Sequence, residues 1–320
     1  MEFRRVGNSG LKVSRIALGC MSYGDPRKGW NPWVLREEHS RPLIRAALEA
    51  GIILFDTSNN YSEGASEEVL GRAIKDFARR DEVVLATKVY GAMHRGANAI
   101  GLSRKSILTE VDNSLRRLGT DYIDLYQIHT WDNEAPIEET LEALSDLVRV
   151  GKVRYLGASN LAAWQFCKAL HIAGERGWSK FISMQNHLNL LHREEEREML
   201  PLCADQGVGI IPWSPLARGR LARPWSDEPA TERARTDSFG KGLYGKRSDV
   251  DRLVIDAVGQ VAAKLGATRS QVALAWLLAK PDVTAPLIGA TELRHLDDAV
   301  KALELELDAD SIALLEKRFS

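Results

Sequence analysis

Short apolar runs of strand length alternate along this chain with longer stretches in which apolar residues recur every three or four positions. The first pattern predicts strands buried on both faces, the second amphipathic helices. Residues 3–14 predict a hairpin, with Asn8-Ser9-Gly10 as turn chemistry between two short strands. Eight apolar runs follow, at residues 15–19, 52–55, 83–87, 122–128, 153–158, 181–184, 208–211 and 284–288. Between the first two, Ser40 and Pro42 open a helix with Leu43, Ile44, Ala47 and Leu48 on one face and Gly51 as its stop. Ser66 caps a second helix, with Glu67 and Glu68 where the dipole favours acids and Val69, Leu70, Ala73, Ile74 and Phe77 as its stripe. Ser103 caps a third, striped by Ile107, Val111, Leu115 and Leu118, and a fourth runs from Pro136 to near Gly151. Residues 215–249 break the rhythm: rich in Arg, Pro, Gly, Asp and Ser, they are too long for a plain connector and predict a functional loop or lid. Further helices are expected over 250–265 and 269–279, after Thr291, and from Asp308.

Eight runs alternating with helices predict a closed (β/α)8 TIM barrel spanning 1–320 as one domain, with the N-terminal β-hairpin and the long loop after strand seven as additions. A doubly wound sheet that binds a dinucleotide would need a glycine-rich first turn. Leu18-Gly19-Cys20-Met21-Ser22-Tyr23-Gly24 carries no GxGxxG.

Barrel enzymes place their chemistry at the C-terminal ends of the strands. Asp56, Lys88 and His129 end runs two, three and four, and Tyr61 lies in the loop after Asp56. Taken singly, each has a plain structural reading: a loop cap, a packed ring, a solvated ammonium, a hydrogen-bonded imidazole. Four such groups converging on one face make a proton-transfer site the better reading. Lys88 would lower the Tyr61 pKa from its ordinary value of about 10. Asp56 would pair with Lys88, and His129 would donate a hydrogen bond to a substrate carbonyl. There is no GxSxG, and His187 and His192 stand outside any HExxH, so neither a serine nucleophile nor a metal is expected.

Composition narrows the partners. A net charge of -1 gives no reason to expect nucleic acid or an anionic membrane. Cys20, Cys167 and Cys203 form neither a disulfide framework nor a CxxC site, which suits a reducing compartment. The N-terminus lacks the apolar core of a signal peptide, and the apolar helical run at 272–279 is far shorter than the ~20 residues that span a bilayer. The expectation is a cytoplasmic protein, with homo-oligomerisation left open.

With those residues in view, the chain resembles the aldo-keto reductase superfamily over nearly its whole length. Gly51-Ile52-Ile53-Leu54-Phe55-Asp56-Thr57 through Tyr61, with Ser66-Glu67 and Leu70-Gly71, is similar to the first family signature; Leu118-Gly119-Thr120-Asp121-Tyr122-Ile123-Asp124-Leu125-Tyr126 with His129 is similar to the second. The style is closest to bacterial aldo-keto reductases and the potassium-channel β-subunit branch. The resemblance implies a catalytic Asp56, Tyr61, Lys88 and His129, and NADP as cofactor, with NAD second. Ser159, Asn160 and Gln185 would then hold the nicotinamide carboxamide. Trp213, where relatives carry Tyr, would stack on the ring, and Ser214, Pro215, Leu216, Ala217 and Gly219 would cradle the pyrophosphate. Gly289, Thr291, His295 and Asp298 would serve the adenine end, where Thr291, His295, Asp298 and Ala299 depart from the family pattern. There Thr291, Arg294 or an arginine of the long loop would meet a 2′-phosphate. Met21, Tyr23, Trp30, Trp33 and Trp131 are candidate walls for a small carbonyl substrate. The implied activity is reduction of an aldehyde or ketone. The alternatives are an NADP-sensing regulatory subunit with little turnover, and a barrel isomerase or aldolase using Lys88 as a Schiff-base nucleophile.

Overall fold

The expected hairpin forms: β1 (Phe3–Arg5) pairs antiparallel with β2 (Lys12–Ser14) in a computed structural model that describes residues 1–226, 228, 231–245 and 248–317. Eight parallel strands follow, namely β3 (Ala17–Gly19), β4 (Leu54–Asp56), β5 (Val84–Val89), β6 (Ile123–Ile128), β7 (Val153–Ser159), β8 (Phe181–Gln185), β9 (Gly209–Ile210) and β10 (Leu287–Ile288). Their sheet order is β10-β3-β4-β5-β6-β7-β8-β9. The amides of Thr284 and Leu287 donate to the carbonyls of Ile210 and Pro212 at 2.8 and 2.9 Å, which joins the two end strands into a ring. The fold is the (β/α)8 barrel.

Helices α1 (Glu37–Glu49), α2 (Ala65–Phe77), α3 (Arg104–Leu118), α4 (Ile137–Arg149), α5 (Ala163–Arg176) and α6 (Met199–Gln206) connect successive strands from β3 to β9. The long segment 215–249 after β9 carries short helices in its second half: α7 (Glu232–Thr236), α8 (Ser238–Tyr244) and the start of α9 (Ser248–Leu265). Helices α10 (Arg269–Leu278), α11 (Leu293–Lys301) and α12 (Ala309–Glu316) complete the shell.

Two expected caps are displaced. Helix α1 begins at Glu37, so Ser40 lies inside it, its hydroxyl bonded back to the Arg36 carbonyl at 2.9 Å. Helix α2 begins at Ala65 after Gly64, whose φ of 92° suits a residue without Cβ. Ser66 is therefore inside α2, where its hydroxyl donates to the Cys20 carbonyl at 2.7 Å and accepts from Thr57 at 2.9 Å. It ties the first two strand ends together instead of capping. Ser103 does cap α3, accepting from the Ser106 amide. Phe77 stays at the rim of its stripe, 36% exposed, with the Arg41 guanidinium 4.8 Å over its ring.

Strand alternation sorts the barrel interior into layers. Ala17, Leu54, Val84, Ala86, Leu125 and Leu287 form an apolar lower cluster, and the hairpin packs Val6, Leu11 and Val13 into it as a floor. The larger cluster lies between the outer strand faces and the helices. Helices α2 and α3 approach so closely that a Cβ on Gly71 would stand 2.3 Å from the Leu118 carbonyl oxygen. Gly71→Ala should therefore destabilise the fold by about 2 kcal/mol or more, read from urea unfolding. A loss within error would mean that these helices can part freely.

Candidate active site

Two residues beyond Leu54, Ala86 and Leu125, the same strand faces present Asp56, Lys88 and Gln127, and the end of β8 adds Gln185, all buried. An ammonium has three protons to place. Lys88 directs them to Asp56 Oδ1, to the Thr57 carbonyl at 2.9 Å and to Tyr61 Oη at 3.4 Å. The second carboxylate oxygen, Asp56 Oδ2, accepts from Gln127 Nε2 at 2.8 Å and Gln185 Nε2 at 2.9 Å. Gln185 also donates to Gln127 Oε1 at 3.2 Å. Burial opposes the Lys88 charge, but Asp56 and Tyr61 outweigh it and hold the ammonium pKa above its usual value. Gly157 makes room for this cluster: a Cβ there would lie 2.4 Å from Ser183 Oγ and 2.9 Å from Gln127 Cγ.

Tyr61 opens a turn in which Ser62 and Glu63 take left-handed φ values of 48° and 52°. Such backbone costs about 1 kcal/mol or more per residue and persists only where its surroundings enforce it. Here the enforcement is polar. Asn59 donates to Glu110 of α3 at 3.1 Å, and Arg117 of α3 pairs with fully buried Glu67 of α2 at 2.5 Å. Thr87, next to Lys88, donates to the other Glu67 oxygen at 2.6 Å. The Tyr61 ring meets the His129 ring edge-on, with centroids 5.7 Å apart. Ser58 Oγ lies 3.1 Å from His129 Nδ1.

Enclosure pushes the Tyr61 phenol above its ordinary pKa, and Lys88 offsets this only in part. The expected lowering by Lys88 is present, but burial exceeds it. Burial and the Lys88 charge lower the His129 pKa to about 3, so the imidazole is neutral.

The remaining predicted positions fall into three groups. Around the rim, Ser159 Oγ donates to the Gln185 carbonyl at 2.7 Å, Asn160 Nδ2 to the His129 carbonyl at 3.0 Å, and Trp213 Nε1 to Asn160 Oδ1 at 2.9 Å. These residues, with Gln185, therefore adjoin the Asp56 cluster. The Trp213 ring stacks on His187 at 4.1 Å, and the residue remains partly exposed. Ser214, Ala217 and Arg218 have φ of 54°, 48° and 56°, so the segment from Ser214 through Pro215 and Leu216 to Gly219 is sharply folded. At β10, Gly289 is exposed, and His295 Nδ1 accepts from the Thr291 amide at 3.2 Å. Asp298 is turned toward α10, where it accepts from Gln271 at 2.9 Å. Among the candidate walls, Met21 is partly exposed and Trp30 is 59% exposed. Trp131 packs against Trp164 at 6.1 Å, and Trp33 lies buried beneath the Arg233 guanidinium at 4.1 Å. Tyr23 is a core strut instead of a wall, fully buried with its hydroxyl on the Ala290 carbonyl at 2.9 Å.

Residues 15–318 match the model of the aldo/keto reductase family. The chain belongs to that family. It is 46% identical to the versiconal hemiacetal acetate reductase of Aspergillus parasiticus, over 100% of this chain and 97% of the relative. It is 43% identical to a Schizosaccharomyces pombe protein named provisionally as an aryl-alcohol dehydrogenase, over 98% of this chain and 94% of that one. An aldo-keto reductase of Alternaria alternata is likewise 43% identical, over 98% and 90% of the two chains. Among the described residues, no helix is long and apolar enough to cross a membrane.

In this aldo/keto reductase, Gln127 and the Asn59–Glu110–Arg117–Glu67 brace escaped the sequence reading. Gln127 was findable: it stands two places beyond Leu125 in an apolar strand, as Asp56 does beyond Leu54. The brace had no such signal, because its partners are brought together only by the packing of α2 on α3. Removing one partner of a buried ion pair leaves a charge uncompensated. Arg117→Met should thus destabilise the enzyme by about 3 kcal/mol in urea unfolding, and adding Glu67→Gln should recover part of the loss. Equal stability of the single variant and the wild type would remove the brace from the account.

His187, enclosed beside His192 and Arg218, also has its pKa lowered to about 3. Both His129 and His187 should stay unprotonated in 15N spectra from pH 8 to pH 5. Histidines of the unfolded chain take up protons below about 6.5, so stability falls as pH drops through that value toward the folded pKa. A urea midpoint that does not fall between pH 7 and pH 5 would contradict the neutral pair.

Proposed function

We propose that this aldo/keto reductase reduces an aldehyde or ketone with NADPH, with Tyr61 as proton donor. The observation that carries the reading is the third Lys88 proton, aimed at Tyr61 Oη beside a neutral imidazole. A phenol held above its ordinary pKa keeps its proton at neutrality, and an alkoxide is basic enough to take it. As the proton leaves, Lys88 stabilises the phenolate. Asp56, fixed by Gln127 and Gln185, keeps Lys88 charged and in place. His129 offers its outer nitrogen to the carbonyl oxygen, orienting it toward Tyr61.

The rim fits a dinucleotide. Trp213 has one ring face covered by His187 and the residue is partly exposed, which suits stacking on a nicotinamide. Ser159 and Asn160 lie next to it. Gln185 has its amide nitrogen on Asp56, so only its carbonyl oxygen is left to accept from a carboxamide. The left-handed residues from Ser214 to Arg218 build a backbone curve of the kind that binds a pyrophosphate. For a 2′-phosphate the candidates are Thr291, Arg294 and Arg223; Arg223 approaches Gly219 and faces Glu292 and His295. Bound there, NADPH supplies the hydride. The aryl-alcohol dehydrogenase name of one relative favours a carbonyl joined to an aromatic ring. A Schiff base on Lys88 is disfavoured, because an ammonium with three hydrogen bonds has no lone pair to attack with.

Tyr61→Phe should lower turnover of an aryl aldehyde by about 100-fold to 10,000-fold, with NADPH affinity by fluorescence titration near wild type. Unchanged turnover would remove Tyr61 from the mechanism.

A further inference from the structure

His129 can orient a carbonyl only if the nitrogen facing it carries a proton. A neutral imidazole has one N–H and one lone pair, and the partner of one nitrogen decides the state of the other. Among the described residues, the one hydrogen-bond partner of the ring is Ser58 Oγ, on Nδ1 at 3.1 Å. Ser58 is fully buried, so water does not set its hydroxyl.

A serine hydroxyl has a single proton; the Asn59 amide oxygen, at 3.4 Å, is its longest contact, and two nearer neighbours compete for it. One is His129 Nδ1; the other is the side-chain amide of Asn60, whose Oδ1 position lies 2.8 Å from Ser58 Oγ. If the proton goes to an amide oxygen, Ser58 Oγ must accept from Nδ1–H. Nε2 is then a lone pair that repels a carbonyl oxygen. If the proton goes to Nδ1, Nε2 carries the hydrogen that catalysis needs. The choice depends on which end of the Asn60 amide faces Ser58, since a half-turn exchanges NH2 for oxygen without changing the space filled. Gly91 gives that amide its room: a Cβ at 91 would stand 2.2 Å from the Asn60 nitrogen position.

We propose that Ser58 is a positioning residue that fixes His129 as the Nε2–H tautomer, with the Asn60 amide donating to Ser58 Oγ and the Ser58 hydroxyl donating to Nδ1. The relay runs in one direction, from Asn60 through Ser58 and His129 to the substrate oxygen. It rests on the reading that His129 meets the carbonyl, but the tautomer is measurable without turnover.

The test is long-range 1H–15N correlation on enzyme with 15N-labelled histidine, the His129 signals being assigned by their loss in His129→Asn. In the wild type at pH 7, Nδ1 should resonate as the unprotonated nitrogen and Nε2 as the protonated one. Asn60→Asp keeps the shape but leaves an acceptor only, so it should capture the Ser58 proton and move the ring to Nδ1–H. Its kcat/KM for an aldehyde should fall about tenfold, the equivalent of one hydrogen bond, with NADPH affinity unchanged. Ser58→Ala should give mixed tautomers and a similar loss, and Ser58→Thr should restore the Nε2–H form. An Nδ1–H ring in the wild type overturns the proposal whatever the activity, as does an unchanged tautomer in Asn60→Asp. An Nε2–H ring in an enzyme indifferent to Tyr61→Phe would instead uphold the relay and sink the reductase reading.

Discussion

Placing an ammonium inside a barrel is expensive unless every proton and every opposing oxygen is satisfied. Much of this site follows from meeting that condition at Lys88. Asp56 supplies the charge, Thr57 turns its carbonyl inward, and Tyr61 takes the proton that is left. Satisfying Asp56 brings in Gln127 and Gln185, and fitting Gln127 excludes a side chain at Gly157. One buried charge thus fixes inward-facing residues on five neighbouring strands, β4 through β8, and leaves a phenol as the outermost member.

The phenol reaches that place on strained backbone. The left-handed pair Ser62 and Glu63 is held from behind by two ion-paired helices, so fold stability is spent on aiming one side chain. The other left-handed residues described besides glycines are Asn160, Ser214, Ala217 and Arg218, and they too lie in loops leaving the C-terminal ends of strands. Strain is concentrated where ligands would be met, and the opposite end of the barrel is packed with ordinary apolar side chains.

Much of this was legible from the order of residues alone. The eight apolar runs gave the barrel, and strand ends gave Asp56 and Lys88, because alternation carries a face along a strand. Alternation fails in loops. Ser66 before two glutamates has the look of a helix start, yet Gly64 makes the turn; Tyr23 reads as a loop aromatic, yet Ala290 claims its hydroxyl. Asp298, Arg223 and Ser58 depend on partners far along the chain or on one rotamer, which no local pattern encodes. Even the balance at Tyr61 was half visible: the Lys88 contribution could be read, whereas the degree of enclosure that exceeds it belongs to the folded molecule.

The hairpin that packs Val6, Leu11 and Val13 against the lower strand layer does more than hide apolar surface. It seals the lower end of a barrel whose interior is already filled by side chains. The Asp56 cluster, two residues further along the same strands, is therefore approached from the end at which partly exposed Tyr61 stands.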